Sequence, residues 1–245
     1  MSHFFTDKSR ISEGYAEIVG GDVNHIRNVL RMTVGDQLTV CSGEDDLLHS
    51  CMISEMDAEH VGLKILESRH SDAELPCEIT LFQGLPKADK MELIVQKTVE
   101  LGVSRIVPVS TKRTIVKLDA KKQASKIARW QQISESAAKQ SGRTRIPEVA
   151  GVCSWKEALA KAKELDVLVI PYELAENMEE TRKIFSAIRP GQSIGIFIGP
   201  EGGFEAAEAE EACAAGASAV TLGHRILRTE TAGLATIAMI GYTIE

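Results

Sequence analysis

Two short stretches near the C-terminus combine bare backbone with charge in a way that suits a small polar ligand. They are Gly199-Pro200-Glu201-Gly202-Gly203-Phe204 and Leu222-Gly223-His224-Arg225-Ile226-Leu227-Arg228-Thr229-Glu230-Thr231-Ala232. Glycine lets the main chain come close to a ligand and offer it N–H and C=O groups directly. Glu201 and Glu230 supply carboxylates that can orient hydroxyls or accept a proton, while Arg225 and Arg228 can stabilise developing negative charge. No Gly-x-Gly-x-x-Gly follows a first strand and no Gly-Lys-Ser/Thr occurs, so neither a dinucleotide fold nor a P-loop is supported. The five cysteines, Cys41, Cys51, Cys77, Cys153 and Cys213, are scattered and never in Cys-x-x-Cys spacing, which reads as buried free thiols and not as a metal site or disulfides.

A second chemical signal is the distribution of charge. The chain of 245 residues carries a formal net charge of −7, yet residues 112–145 hold 10 Lys+Arg against 2 Asp+Glu. Arg113, Lys117, Lys121, Lys122, Arg143 and Arg145 stand at the loop-like ends of that segment, which suits phosphate contacts; a solvated helix face is the alternative.

The elements that must position these residues follow from periodicity. Each glycine turn lies between a β-rich apolar run (193–198, 219–222) and a helix (204–215, 229–244), which places both at the carboxyl ends of strands, where open α/β sheets bind ligands. Upstream, strands over 78–84, 105–110 and 167–172 alternate with helices over 88–101, 120–140, 155–165 and 178–188, a rhythm that calls for a mostly parallel sheet with helices on both faces. Met91, Ile94, Val95, Thr98 and Leu101 form an apolar stripe for the core, and Ser154 with Glu157 forms a capping box. Residues 69–76 read as a linker. Before it, strands over 37–41, 47–56 and 61–66 and a short helix over 23–30 suggest a small β-barrel, so the expected domains are 1–72 and 73–245.

The two glycine turns resemble the signature of the SPOUT (α/β-knot) RNA methyltransferases, in particular the RsmE-type 16S ribosomal RNA uracil-N3 methyltransferases. Leu85-Pro86-Lys87-Ala88-Asp89-Lys90-Met91-Glu92 and Gln140-Ser141-Gly142-Arg143-Thr144-Arg145 are similar to the same pattern, so the likeness runs over the whole chain. The resemblance implies a PUA-like RNA-binding barrel followed by a SPOUT domain with a C-terminal trefoil knot, S-adenosylmethionine as cofactor without a metal, and a homodimer acting on 16S ribosomal RNA within the small subunit. The His3-Phe4-Phe5 start departs from the arginine-led start common in that family.

What the resemblance implies for single residues is specific. Leu222, Gly223, Ile226 and Leu227 would face the adenine; Ile198, Gly199 and Glu201 would border ribose and methionine; Tyr172 and Glu173 would close another side. Pro200, Gly202, Arg228 and Ala232 complete the cofactor set. Uracil N3 is a poor nucleophile while protonated, so charge spreading onto the uracil oxygens needs cations: Arg143 and Arg228 are expected there, with Arg113 third, and Glu201 as proton acceptor or ligand-orienting group. Arg27, Arg31, Arg113, Lys117, Lys121, Lys122 and Arg145 are expected to bind RNA. A ribose 2′-O-methyltransferase of another structured RNA and a non-catalytic RNA-binding assembly factor are the alternative functions. No apolar run reaches the roughly 20 residues of a membrane span and no signal-peptide pattern opens the chain, so a cytoplasmic protein is expected.

Overall fold

The computed structural model describes residues 2–116, 118–173, 175 and 177–245, and the chain divides into two compact units. The first comprises residues 1–74 together with 138–146. Its strands are β1 (His3–Phe5), β2 (Ile11–Ser12), β3 (Tyr15–Val19), β4 (Gln37–Cys41), β5 (Leu47–Met56) and β6 (His60–His70), in the order β1-β4-β5-β6-β3-β2. Only β1 pairs in parallel, with β4; the other pairs are antiparallel. Alternate residues point inward: Ala16 and Ile18, Leu38 and Val40, Cys51 and Ile53, Val61 and Leu63 make one core with Phe4, Val23 and Ile26. The sheet curls far enough that Thr6, beyond β1 at one edge, donates its hydroxyl to the Glu17 carbonyl of β3 at 2.5 Å. A short helix, α1 (Gly21–Asn24), runs on through a wider helical turn over His25–Val29.

Residues 138–146 are tied to this barrel by a carboxylate. Glu74 accepts from Arg143 Nε at 3.1 and 3.3 Å, from Arg143 Nη2, and from the backbone N–H groups of Thr144 and Arg145 at 3.1 Å each. Lys139 pairs with Asp22 at 2.8 Å, and the Ile146 N–H donates to Gly43 O at 2.9 Å. His3 is turned inward, its ring nitrogens against Thr39 Oγ1 and Arg143 O.

The second unit comprises residues 75–137 and 147–245. All of its strand pairs are parallel: β7 (Glu78–Gly84), β8 (Arg105–Ser110), β9 (Glu148–Val149), β10 (Cys153–Ser154), β11 (Val167–Pro171), β12 (Ser193–Ile198) and β13 (Ala217–Val220). The order is β10-β8-β7-β12-β11-β13, with β9 beside β8. The chain therefore starts in the middle, builds outward to one edge, jumps to the other half, and finishes at the far edge. Helices α2 (Lys90–Glu100), α3 (Ala120–Ser141, whose last residues belong to the first unit), α4 (Trp155–Ala162), α5 (Met178–Ser186), α6 (Ala206–Ala214) and α7 (Thr229–Ile244) join them.

Helices cover both faces because strand side chains alternate. Phe82, Leu168, Ile170 and Phe197 meet Ala158 and Ala162 of α4 and Ala209 and Ala212 of α6. Phe82 stacks on Phe197 with ring centroids 4.9 Å apart, and Trp155 meets Phe197 edge-on. On the other face Gly233 of α7 packs against Leu81 and Ile198, where a Cβ would lie at an ordinary 3.7 Å.

Several expectations are corrected. Strands β1, β2, β3, β9 and β10 add to those expected, and β6 reaches His70, into the span read as a linker. Helix α2 begins at Lys90, not at 88, because Ala88 takes a left-handed φ of 53°. Leu101 lies past the end of α2 and is exposed, while Val99 takes its place in the core. Four thiols are buried, but Cys213 on α6 is exposed. The capping box of Ser154 and Glu157 is present.

Candidate active site

Three neighbouring strands, β12, β11 and β13, end at one cleft in the second unit, and the loops leaving them are its walls. Its volume of about 940 Å³ sits at the upper end of the range of roughly 300–1,000 Å³ typical of small-molecule sites. Tyr172 and Glu173 come from the loop after β11. Ile198, Gly199, Pro200, Glu201 and Gly202 come from the turn after β12. Leu222, Gly223, Ile226, Leu227, Arg228 and Ala232 come from the loop after β13 and the start of α7. All thirteen residues expected at a cofactor thus line a single cleft.

Local packing explains why these turns need glycine. A Cβ on Gly84, the last residue of β7, would stand 2.6 Å from Pro200 Cδ and 2.7 Å from Pro200 N, so only glycine lets that strand end pass beside the Gly199-Pro200 peptide. A Cβ on Gly199 would stand 2.8 Å from the carbonyl carbon of Gly203 and 3.1 Å from the Phe204 N. A side chain at Gly199 would therefore break the turn's own closure before it met any ligand. Gly223 has a φ of 103°, a conformation that L side chains rarely adopt.

Beneath the turn runs a buried polar chain. Gln83 of β7 is fully buried and donates from Nε2 to Gly84 O and to Thr229 Oγ1, both at 2.9 Å; Thr229 in turn donates to Gly199 O at 2.6 Å. The carbonyl of Gly199 is thereby aimed by the first residue of α7. From the side, Arg113 Nη1 donates to Gly202 O at 2.6 Å, and the Lys112 N–H donates to the buried Glu208 at 2.9 Å, which fixes the loop after β8 against the turn.

Electrostatics at the mouth centre on Lys90. Its ammonium lies 3.2 Å from Glu201 Oε1 and 3.2 Å from Glu230 Oε2, and the Lys87 N–H donates to Glu201 Oε1 at 3.0 Å. Partial burial pushes the Glu201 carboxyl upward, but its own N–H, the Lys87 N–H and the Lys90 ammonium outweigh this and hold it below the ordinary value. The balance at Glu230 is similar: burial opposes, while its own N–H, Lys90 and Arg228 prevail. Both carboxylates are ionised near neutral pH, so they are weak bases suited to holding hydroxyls or cationic groups.

The remaining expected residues fall into three places. Arg228 caps α7 with its backbone carbonyl, and its side chain is exposed at the cleft. Arg143 belongs to the first unit, is only 3% exposed and is held in the Glu74 pair described above. Arg113 is placed by its bond to the glycine turn. Lys121 and Lys122 are exposed on the first turn of α3, and Arg27, Arg31 and Arg145 are exposed in the first unit. Lys117 lies outside the described residues. Much of the basic segment is paired with acids beyond it, as Lys112 is with Glu205, Lys126 with Asp89, Arg129 with Glu92 and Lys139 with Asp22.

Sequence reasoning missed Lys90, Gln83, Thr229 and Glu74. Lys90 and Thr229 stood inside motifs already singled out; Gln83 and Glu74 read as ordinary strand and linker residues. His224 also lines the cleft.

Comparison with known proteins gives a consistent picture. Residues 73–241 match the model of an RNA methyltransferase domain, and residues 20–66 match that of an RNA methyltransferase PUA domain. The chain is 37% identical to the ribosomal RNA small subunit methyltransferase E of Bacillus subtilis, over 100% of this chain and 98% of that protein. It is 30% identical to the protein of the same name from Mesomycoplasma hyopneumoniae, over 96% of each chain. Among solved structures it is similar to the ribosomal RNA small subunit methyltransferase E of Neisseria gonorrhoeae bound to S-adenosyl methionine, with a TM-score of 0.86 and 35% identity, over 100% of this chain and 98% of that one.

Proposed function

The chain belongs to the ribosomal RNA small subunit methyltransferase E family, and on that footing we propose that it transfers a methyl group from S-adenosylmethionine to N3 of a specific uridine in 16S ribosomal RNA. The observation that carries this reading is the convergence of both glycine turns on one cleft at the ends of three parallel strands. The donor set fits the cofactor. Leu222, Ile226 and Leu227, with Ile226 89% exposed on the rim, offer apolar walls for adenine, and Glu173 and Glu201 offer carboxylates to a ligand that carries cationic groups and ribose hydroxyls.

When bound, the cofactor supplies a methyl on a sulfonium centre, an electrophile that needs no metal. The protein's own residues must then hold the uracil in line and favour loss of its N3 proton. Arg228, exposed beside the positive end of α7, is the cation placed to stabilise charge on the uracil oxygens. Glu201, held ionised by Lys90, orients ligand groups and is ill suited to take the proton.

RNA is held by the PUA-like unit through Arg27, Arg31 and Arg145, and by Arg113, Lys121 and Lys122 of the catalytic unit. The active form is a homodimer, supported by an apolar stripe of partly or fully exposed residues on α7: Leu234, Ala235, Ala238, Met239 and Tyr242, the last 91% exposed. The trefoil knot belongs to this proposal, as does a cytoplasmic site of action, where the ribosomal substrate is found. Mass mapping of modified nucleosides in small-subunit ribosomal RNA, from cells with and without the gene, tests the reading: loss of one N3-methyluridine supports it, and loss of a ribose methylation refutes it.

A further inference from the structure

Lys90 breaks a local rule. As the first residue of α2 it sets a cation at the positive end of a helix, an unfavourable arrangement. Two residues before it, Ala88 takes a left-handed φ of 53°, a conformation strained for a residue with a Cβ. Unfavourable choices that cluster at one point mark a place where the fold serves something other than its own stability. Both lead to the same atom. The turn around Ala88 leaves the Lys87 N–H 3.0 Å from Glu201 Oε1, and the Lys90 ammonium 3.2 Å from that same oxygen. The ammonium also reaches Glu230 Oε2 at 3.2 Å.

Those two carboxylates stand on different elements: Glu201 on the glycine turn after β12, which lines the cleft, and Glu230 on the first turn of α7, whose Thr229 and Ala232 line it. A single exposed ion pair contributes little; here one ammonium meets two carboxylates at once, the Glu230 side chain being 16% exposed. We propose that Lys90 is a positioning residue whose ammonium bridges Glu201 and Glu230, locking the glycine turn to the start of α7 so that the cofactor meets a preformed wall. Without the bridge the two carboxylates repel each other and the walls part. The inference rests on the cofactor reading above, and it assigns Lys90 no contact with the reacting atoms.

The test uses the full-length protein, S-adenosylmethionine as probe, and two variants, Lys90→Met and Lys90→Arg. Calorimetry should show Kd raised about tenfold or more in Lys90→Met and within about threefold of the unmodified protein in Lys90→Arg. In methylation of small ribosomal subunits, KM for the cofactor should rise in Lys90→Met while kcat at saturation stays within about threefold, the split expected of lost binding energy without lost chemistry. Thermal unfolding should show both variants folded. An unchanged Kd in Lys90→Met, equal damage in both variants, or a collapse of kcat at unchanged KM would each overturn the inference. Failure of the unmodified protein to bind the cofactor would instead overturn the reading beneath it, and this inference with it.

Discussion

Replacing Thr229 by Val tests whether the cleft is built from below by hydrogen bonding. The hydroxyl sits between a donor and an acceptor, accepting from fully buried Gln83 Nε2 at 2.9 Å and donating to Gly199 O at 2.6 Å. Val keeps the shape and removes both bonds. One N–H of Gln83 is then stranded where no water reaches, at a cost of about 1–3 kcal/mol, and Gly199 O loses its orienting donor. Melting should fall by roughly 2–10 °C for a chain of this size. Gln83→Leu alone should cost less, about 1 kcal/mol, because it also removes Gln83 Oε1, a buried oxygen without a hydrogen-bond partner. The double variant should lie well below the sum, with a coupling of about 1–2 kcal/mol, since the second change deletes the donor that the first had stranded. Urea unfolding of the four proteins measures the cycle, and calorimetry should show weaker S-adenosylmethionine binding in Thr229→Val. Losses that add to within about 0.3 kcal/mol would refute the idea that this chain holds the turn.

Three further substitutions probe the turn and the chemistry. Gly199→Ala should both destabilise the protein and weaken cofactor binding, because its Cβ would stand 2.8 Å from the Gly203 backbone, whereas Gly202→Ala, whose Cβ would rest 3.4 Å from the flexible Arg113 stem, should be nearly silent in unfolding and calorimetry. Arg228→Met should lower the single-turnover methylation rate by about 10²–10³, the scale of losing one preorganised donor, with a much smaller loss of RNA and cofactor affinity and partial recovery as pH rises; a normal rate at saturating RNA would make Arg228 a phosphate anchor.

The sheet and its cleft were legible because the signals are local. Apolar runs at 78–84, 105–110 and 193–198 coincide with β7, β8 and β12, whereas β13 spans Ala217–Val220 and ends two residues before the expected 219–222 run does. Ala88 misled the helix boundary because alanine is a strong helix former, and nothing in its neighbours shows that the backbone there is left-handed. The Arg143–Glu74 pair was not legible for a different reason: the partner lies 69 positions away in a stretch that read as linker. Within the charge run, the pairing of Lys139 with Asp22, Lys126 with Asp89 and Arg129 with Glu92 was not legible, because those acids are distant in sequence. Long-range ion pairs leave no periodic trace.

The central claim is that this cleft carries S-adenosylmethionine for methylation of a base nitrogen in small-subunit ribosomal RNA. Incubation of the purified protein with small ribosomal subunits lacking the modification and cofactor carrying an isotopically labelled methyl, followed by digestion and mass analysis of nucleosides, measures it most directly. The account predicts one labelled methyl per subunit, recovered as N3-methyluridine. Label recovered on a ribose oxygen, or no label despite saturable cofactor binding, would contradict it.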